Sequence, residues 1–156
     1  VNRLENAIIL ATKAHRSQNY AGLPYILHPL RVMQRVEAYD EKIVAVLHDV
    51  VEDTYVTLKE IKTQFGEDIA ESVDAISKRK GGETYLAYLS RVRKNPKALV
   101  VKLADMEDNL SNTSSLSLPK RLRLFAKYTR GRHFLLTGEW HDSEALDTVI
   151  KEGYKK

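Results

Sequence analysis

Residues 42–53 read KIVAVLHDVVED, and this stretch decides the fold. Positions 43–47 are uniformly apolar, as expected for a helix buried on most sides. His48, Asp49, Glu52 and Asp53 then arrive together. On a continuous helix, residues three and four apart are neighbours, so His48 and Asp49 would lie one turn below Glu52 and Asp53. Three carboxylates would crowd the C-terminal end of the helix dipole, where negative charge is disfavoured. Charge left unpaired beside an apolar run costs more still. A bound cation removes both costs. The alternative, a solvated helix end with ordinary surface acids, would leave charge unpaired against the core, which is rare.

Outward from this stretch the chain reads as helix after helix. Leu4, Ala7, Ile8, Ala11 and Ala14 recur at helical spacing and predict a first amphipathic helix ending near 15–18. Gly22 and Pro24 break the chain into a loop. Residues 25–28 are expected to be extended, because Pro29 disfavours the α region for its predecessor. Pro29 then suits the first position of a helix running to about Ala38, which puts His28 at a rigid helix entrance. Asp40 is the expected cap of the helix that carries the acidic cluster. Thr57 and Glu60 form a capping box, with Val56 and Ile61 placed for a hydrophobic staple, and Gly66 ends that helix. Ile69, Val73 and Ile76 share one face of the next. A basic, glycine-containing loop at 78–82 leads to a helix over 83–94. Asn95-Pro96 opens a helix over 97–110. After a serine-rich loop, Pro119 starts a long basic helix to about 136, and a last amphipathic helix is expected over 143–150. No useful β-alternation, internal repeat or low-complexity tract occurs. The predicted architecture is all-α, a compact multi-helix bundle.

At 156 residues with 43% hydrophobic content, the chain is expected to form a single domain over 1–156 able to bury a proper core. No apolar run is long enough to cross a bilayer, and nothing resembles a signal peptide, so no membrane partner is expected. Cysteine is absent, which rules out disulfides and thiolate metal sites and is compatible with a cytoplasmic location. The net charge of +4 hides an asymmetry: between Lys78 and Arg132 stand fourteen Lys or Arg and four Asp or Glu. The remainder carries eleven basic and seventeen acidic residues. An acidic part that could hold metal beside a basic part that could hold phosphate suits an enzyme acting on a small polyanion. Nucleic acid is not expected, since the chain has no zinc finger, RNP aromatic motif or long basic tail.

The second chemical stretch, residues 98–110, reads ALVVKLADMEDNL. Asp105 follows a run interrupted only by Lys102, and Asn109 is its i+4 neighbour. An Asp at the end of a buried run needs a partner. His28, His48, Asp49 and Asp105 together make two imidazoles and two carboxylates. Such a set with open positions suits Mn²⁺ or Fe²⁺, with Zn²⁺ or Mg²⁺ as alternatives. Lys13, Arg16, Lys78, Arg79, Lys80 and Lys102 are candidates for a phosphate-binding rim.

The ordered motifs AHRSQ (14–18), PYILHP (24–29), LHDVVEDT (47–54), FG (65–66) and VKLADMEDNL (101–110) resemble the HD phosphohydrolase superfamily. Within it they resemble the hydrolase domain of the RelA/SpoT alarmone enzymes and, in size, the small alarmone hydrolases. The likeness runs from about Leu4 to Tyr128. It implies an Mn²⁺-dependent enzyme that removes the 3′-pyrophosphate from guanosine tetra- or pentaphosphate. His28, His48, Asp49 and Asp105 would carry the metal, and Glu52 and Asp53 would position the attacking water and handle its proton. Asn109 would lie near the nucleotide and Tyr128 in the substrate pocket. With no synthetase domain in the chain, only degradation is expected of it. The alternatives are another nucleotide, such as an adenosine alarmone, or a catalytically silent nucleotide sensor; keeping both Glu52 and Asp53 favours the enzyme. One departure stands out. Relatives commonly carry an Arg-Lys pair between the glutamine and the PY motif, whereas here the loop is the shorter, uncharged Asn19-Tyr20-Ala21-Gly22-Leu23.

Overall fold

The computed structural model describes residues 2–142, and the helix expected over 143–150 lies outside the described residues. Helix α1 (Arg3–Ala14) is capped by Asn2, whose side chain accepts from the Leu4 N–H. It buries Ala7, Ala11 and Ala14, the predicted stripe. Helix α2 (Leu27–Gln34), α3 (Tyr39–Leu47) and a single turn, α4 (Val50–Asp53), carry the chemistry of the N-terminal half. Helices α5 (Leu58–Phe65) and α6 (Glu67–Ile76) meet at Gly66, whose φ of 93° turns the chain where a side chain would be strained. Helix α7 (Tyr85–Lys94), α8 (Pro96–Ser111) and α9 (Leu118–Thr137) complete the bundle.

α3 is the axis of the molecule. Ile43, Val44, Ala45, Val46 and Leu47 are all fully buried, so every side of its last turn faces protein. α1, α2, α6 and α8 pack around it. Burying each of the larger of these side chains contributes roughly 1.5–3 kcal/mol before entropy is counted. α8 is the second central element, touching α2, α3, α6, α7 and α9. α9 reaches α7 closely because Gly131 has no side chain: a Cβ there would lie 2.6 Å from the Tyr85 hydroxyl.

Several local expectations hold and others need correction. The Thr57–Glu60 capping box forms in both directions, with Val56 and Ile61 buried beside it. Asn95 caps α8 by accepting from the Ala98 N–H. Asp40 is not the cap of α3; Ala38 holds that position, and the Glu41 carboxylate accepts its N–H at 3.3 Å. α2 starts at Leu27 and stops at Gln34, so His28 is helical and not extended, and Pro29 sits inside the first turn. The missing proline N–H costs nothing there, since first-turn donors have no intrahelical acceptor. Residues 19–24 form a short antiparallel hairpin, β1 (Asn19–Tyr20) with β2 (Leu23–Pro24), where only a loop is predicted. Its turn puts both Ala21 and Gly22 at positive φ, the geometry that matches strand twist.

Residues 42–53 belong to two helices, not to the single helix expected: α3 ends at Leu47, and His48 and Asp49 form the joint before α4. Asp49 has φ −105° and ψ −6°, off the helical mean, and α4 restarts with the Asp53 N–H bonded to the Asp49 carbonyl at 2.9 Å. The joint is what lets two consecutive side chains, His48 and Asp49, face the same point.

Candidate active site

His28 from α2, His48 and Asp49 from the α3–α4 joint, and Asp105 from α8 converge. His48 Nε2 lies 2.9 Å from Asp49 Oδ2 and 3.6 Å from Asp105 Oδ1. His28 Nε2 lies 3.1 Å from Asp105 Oδ1 and 3.8 Å from Asp49 Oδ2. His28, His48 and Asp105 are buried. The quartet expected from the sequence is therefore brought together in space.

The other nitrogen of each ring fixes its tautomer. His48 Nδ1 lies 2.7 Å from the Ala45 carbonyl oxygen, which only accepts, so Nδ1 carries a proton. His28 Nδ1 donates to Asp108 Oδ2 at 2.8 Å. Asp108 is fully buried and also accepts from Arg31 Nε at 2.9 Å. In the neutral rings both Nε2 lone pairs then point at carboxylate oxygens, an arrangement that repels. Either the rings become imidazolium or a cation sits between the groups. Burial opposes a charged His48, but Asp49 and Asp105 outweigh it and hold its pKa well above the ordinary value. His48 Nε2 is buried without a hydrogen-bond partner. A divalent cation would be held by His28, His48 and Asp49, whose donor atoms lie within 4.8 Å of one another, with Asp105 against both imidazoles. A carboxylate or carbonyl behind each imidazole is the usual support for a metal-binding histidine. The residues fit a metal.

The carboxylates are tuned by their neighbours. Asp105 accepts from Lys102 Nζ at 2.7 Å and from Asn109 Nδ2 at 2.8 Å. Burial would raise its pKa, but Lys102, His28 and His48 pull it well below the usual range. Asp49 accepts from the Tyr25 hydroxyl. Asn109 Nδ2 also lies 3.3 Å from the Tyr128 hydroxyl, so the two predicted substrate residues are adjacent.

Glu52 and Asp53 stand outside the quartet and line the same cleft, of about 230 Å³. Burial first, then the Asp49 charge, pushes both carboxyls upward. Glu52 Oε2 accepts the Lys78 backbone N–H at 2.8 Å. Arg91 holds the loop that carries Lys78, donating to the carbonyls of Asp74, Ala75 and Ser77 and to Glu83. The AHRSQ motif has a structural part here: His15 Nδ1 donates to Gln18 Oε1 at 2.8 Å, and Gln18 Nε2 donates to the Asp53 carbonyl at 3.0 Å.

Of the predicted rim, Lys78 and Lys102 line the cleft, while Lys13, Arg16 and Lys80 do not. Arg79 pairs with Asp74 instead. Three residues were not foreseen: Tyr25, Asp108 and Lys127. Asp108 carried a usable signal, for it falls three residues after Asp105 on the stripe begun by Ala98 and Val101. Lys127 carried none among its many basic neighbours. On the far side of His28 lies a second hollow of about 200 Å³, lined by Tyr20 and Leu23 of the hairpin with Arg31 and Asn112.

The HD domain family model matches residues 7–130. The chain is 30% identical over 139 residues to the bifunctional (p)ppGpp synthase/hydrolase SpoT of Escherichia coli, covering 80% of this chain and 20% of that protein. It is 30% identical over 133 residues to a guanosine-3′,5′-bis(diphosphate) 3′-pyrophosphohydrolase of Aquifex aeolicus, covering 78% of this chain and 19% of that one. It thus spans about a fifth of the length of these curated relatives. A solved structure of a metazoan ortholog of SpoT, described as hydrolyzing ppGpp, superposes with a TM-score of 0.74 at 22% identity, covering 99% of this chain and 97% of that one. That likeness shows the fold. No helix among the described residues is long and apolar enough to cross a membrane.

Proposed function

The chain belongs to the HD domain family, and from that premise we propose that it is a metal-dependent hydrolase that removes the 3′-pyrophosphate of guanosine 3′,5′-bis(diphosphate) or a close analogue. The carrying observation is the pair of inward Nε2 atoms, of His28 and His48, facing Asp49 and Asp105 with Glu52 and Asp53 beside them. The mixed nitrogen and oxygen donors favour Mn²⁺. A divalent cation supplies charge to a phosphoryl oxygen and lowers the pKa of water. A nucleotide substrate and a chain without cysteine both suit the cytoplasm.

The chain's own groups do the rest. Glu52 and Asp53 are the bases: their raised pKa values bring them closer to neutrality, where a carboxylate accepts a proton more readily. The Lys78 N–H fixes the Glu52 carboxylate, and Gln18 fixes the backbone that carries Asp53, before substrate arrives. Water adds to the phosphorus bonded to the 3′-oxygen, its proton passes to a carboxylate, and the P–O3′ bond breaks. The nucleoside keeps its 3′-oxygen, which takes up a proton, and pyrophosphate leaves. Asn109 and Tyr128 line the cleft as substrate contacts, and Lys102 holds Asp105 in place.

A second reading, hydrolysis of the adenosine analogue, is favoured by one observation. The hollow behind His28 presents Tyr20 where relatives commonly have cationic side chains, and a tyrosine face stacks on any base. The test is a side-by-side kcat/KM for guanosine and adenosine 3′,5′-bis(diphosphates) with Mn²⁺-loaded protein. Release of pyrophosphate from either supports the hydrolase. A protein that binds these nucleotides and cleaves neither is the silent sensor.

A further inference from the structure

Three lysines reach one cleft from three directions: Lys78 from the loop after α6, Lys102 from α8 and Lys127 from α9. Lys102 is accounted for, since its ammonium lies 2.7 Å from Asp105. Lys78 offers its backbone N–H to Glu52. The ammonium groups of Lys78 and Lys127 have no ion-pair partner among the described residues. Lys127 instead lies over two aromatic faces, 4.8 Å from the Tyr85 ring centre and 5.7 Å from that of Tyr128.

An unpaired lysine on a surface helix ordinarily extends into water, away from other cations. Lys127 is exposed overall, yet its ammonium lies over two ring faces at the cleft, in a lining it shares with two other lysines. Partial desolvation, with repulsion from Lys102 and Lys78, lowers its pKa. The two tyrosine faces offset some of that cost, but a ring face is a weaker acceptor for an ammonium proton than a phosphate oxygen. A dianionic phosphate between Lys78 and Lys127 would supply those acceptors and cancel the repulsion. The two acids whose charges act on Lys127 are already claimed: Asp105 by Lys102 and Asn109, and Glu52 by a backbone N–H.

We infer that Lys127, with Lys78, forms a subsite for a second phosphate group of the substrate, distinct from the one at the His28–His48–Asp49–Asp105 centre. This rests on the hydrolase reading for its substrate class and adds a residue that discriminates between substrates. A nucleotide with one phosphate would fill only the metal centre; one carrying a pyrophosphate or phosphates at both ends fills the lysine subsite too. The shared chemistry is a phosphate with two negative charges. Its source is either the outer phosphate of the scissile pyrophosphate or the phosphates on the 5′ carbon.

The test is calorimetric binding of inorganic phosphate, inorganic pyrophosphate and GDP to the full chain at matched Mn²⁺. The parent is compared with Lys127→Met, which keeps the stem and loses the charge, and with Lys127→Arg. Lys127 is exposed on α9, so the fold does not depend on it. If the outer scissile phosphate is the source, Lys127→Met weakens pyrophosphate about tenfold, the scale of one charge-assisted contact, and leaves inorganic phosphate within about twofold. If the 5′-phosphates are the source, GDP takes that loss and pyrophosphate does not. Lys127→Arg should recover most of either loss. Unchanged affinity for both ligands in Lys127→Met overturns the inference. Binding needs no turnover, so the two readings fail separately. A protein that cleaves no nucleotide yet shows the Lys127 effect keeps the subsite and loses the proposed activity. An active enzyme indifferent to Lys127 does the opposite.

Discussion

At the scale of single residues, Glu52 and Asp53 are placed against their own stability. Their folded-state carboxyls titrate higher than ordinary ones because burial and Asp49 penalise the charge. The folded protein therefore keeps protons that the unfolded chain has released, and stability falls as pH rises through that window. Glu52→Gln and Asp53→Asn remove the penalised charge. In chelator, each variant should melt about 1–3 °C above the parent near pH 7.5, with the gap closing below about pH 3, where the parent carboxyls are protonated in both states. Turnover with Mn²⁺ should fall about a hundredfold or more while metal is retained. Near-normal turnover in both variants would move the proton acceptor elsewhere. The identity of these side chains was legible in the sequence because acids and imidazoles beside an apolar run have so few stable explanations. Asp108 was overlooked for the opposite reason: in MEDN it looks like one of several surface acids, and only its position on the buried stripe of α8 distinguishes it from the exposed Glu107.

At the scale of elements, what the sequence hid was where helices bend. Periodicity located the apolar and capped segments well, since Asn95, Thr57 and Gly66 each act through local geometry. It ran α3 straight through His48 and Asp49, because a joint of two residues leaves the spacing of apolar positions almost unchanged. It also set α2 to begin at Pro29, since the local preference of His28 is overridden by its ties to α8. Those ties give the second prediction. The α2–α8 junction is the His28–Asp108–Arg31 network, and Asp108 sets the tautomer that leaves Nε2 free. Asp108→Asn should weaken Mn²⁺ about ten- to a hundredfold, the usual effect of losing such support, measured by competition with a chromogenic chelator. Glu107→Gln, one residue away and exposed, should stay within about twofold, as a surface pair with Arg35 predicts. Equal affinities in the Asp108 variant and the parent would mean that α8 contributes only packing and Asp105.

Across the whole molecule, the charge asymmetry seen in the sequence meets in one cleft. Asp49, Glu52 and Asp53 come from the acidic N-terminal part, and Lys78, Lys102 and Lys127 from the basic 78–132 segment, and all six line it. The proposed metal site bridges α2, the α3–α4 joint and α8, which are also the helices that pack the core around α3. A ligand that binds only the folded state stabilises it by mass action, about 2.7 kcal/mol at a hundredfold excess over Kd. For a chain of this size that corresponds to a rise in Tm of roughly 5–10 °C. Mn²⁺ should produce such a rise in the parent, and a chelator should reverse it. His48→Ala should keep a helical far-UV spectrum yet lose the rise, because the ring that faces both Asp49 and Asp105 is gone. A second group of candidate ligands, His133 in the last turns of α9 with the exposed Glu139 and His141 just beyond it, makes the natural control. His141→Ala should keep the full Mn²⁺-induced rise. If His48→Ala keeps the rise and His141→Ala loses it, the stabilising metal sits at the surface, and the cleft has some other way of relieving its two facing imidazoles.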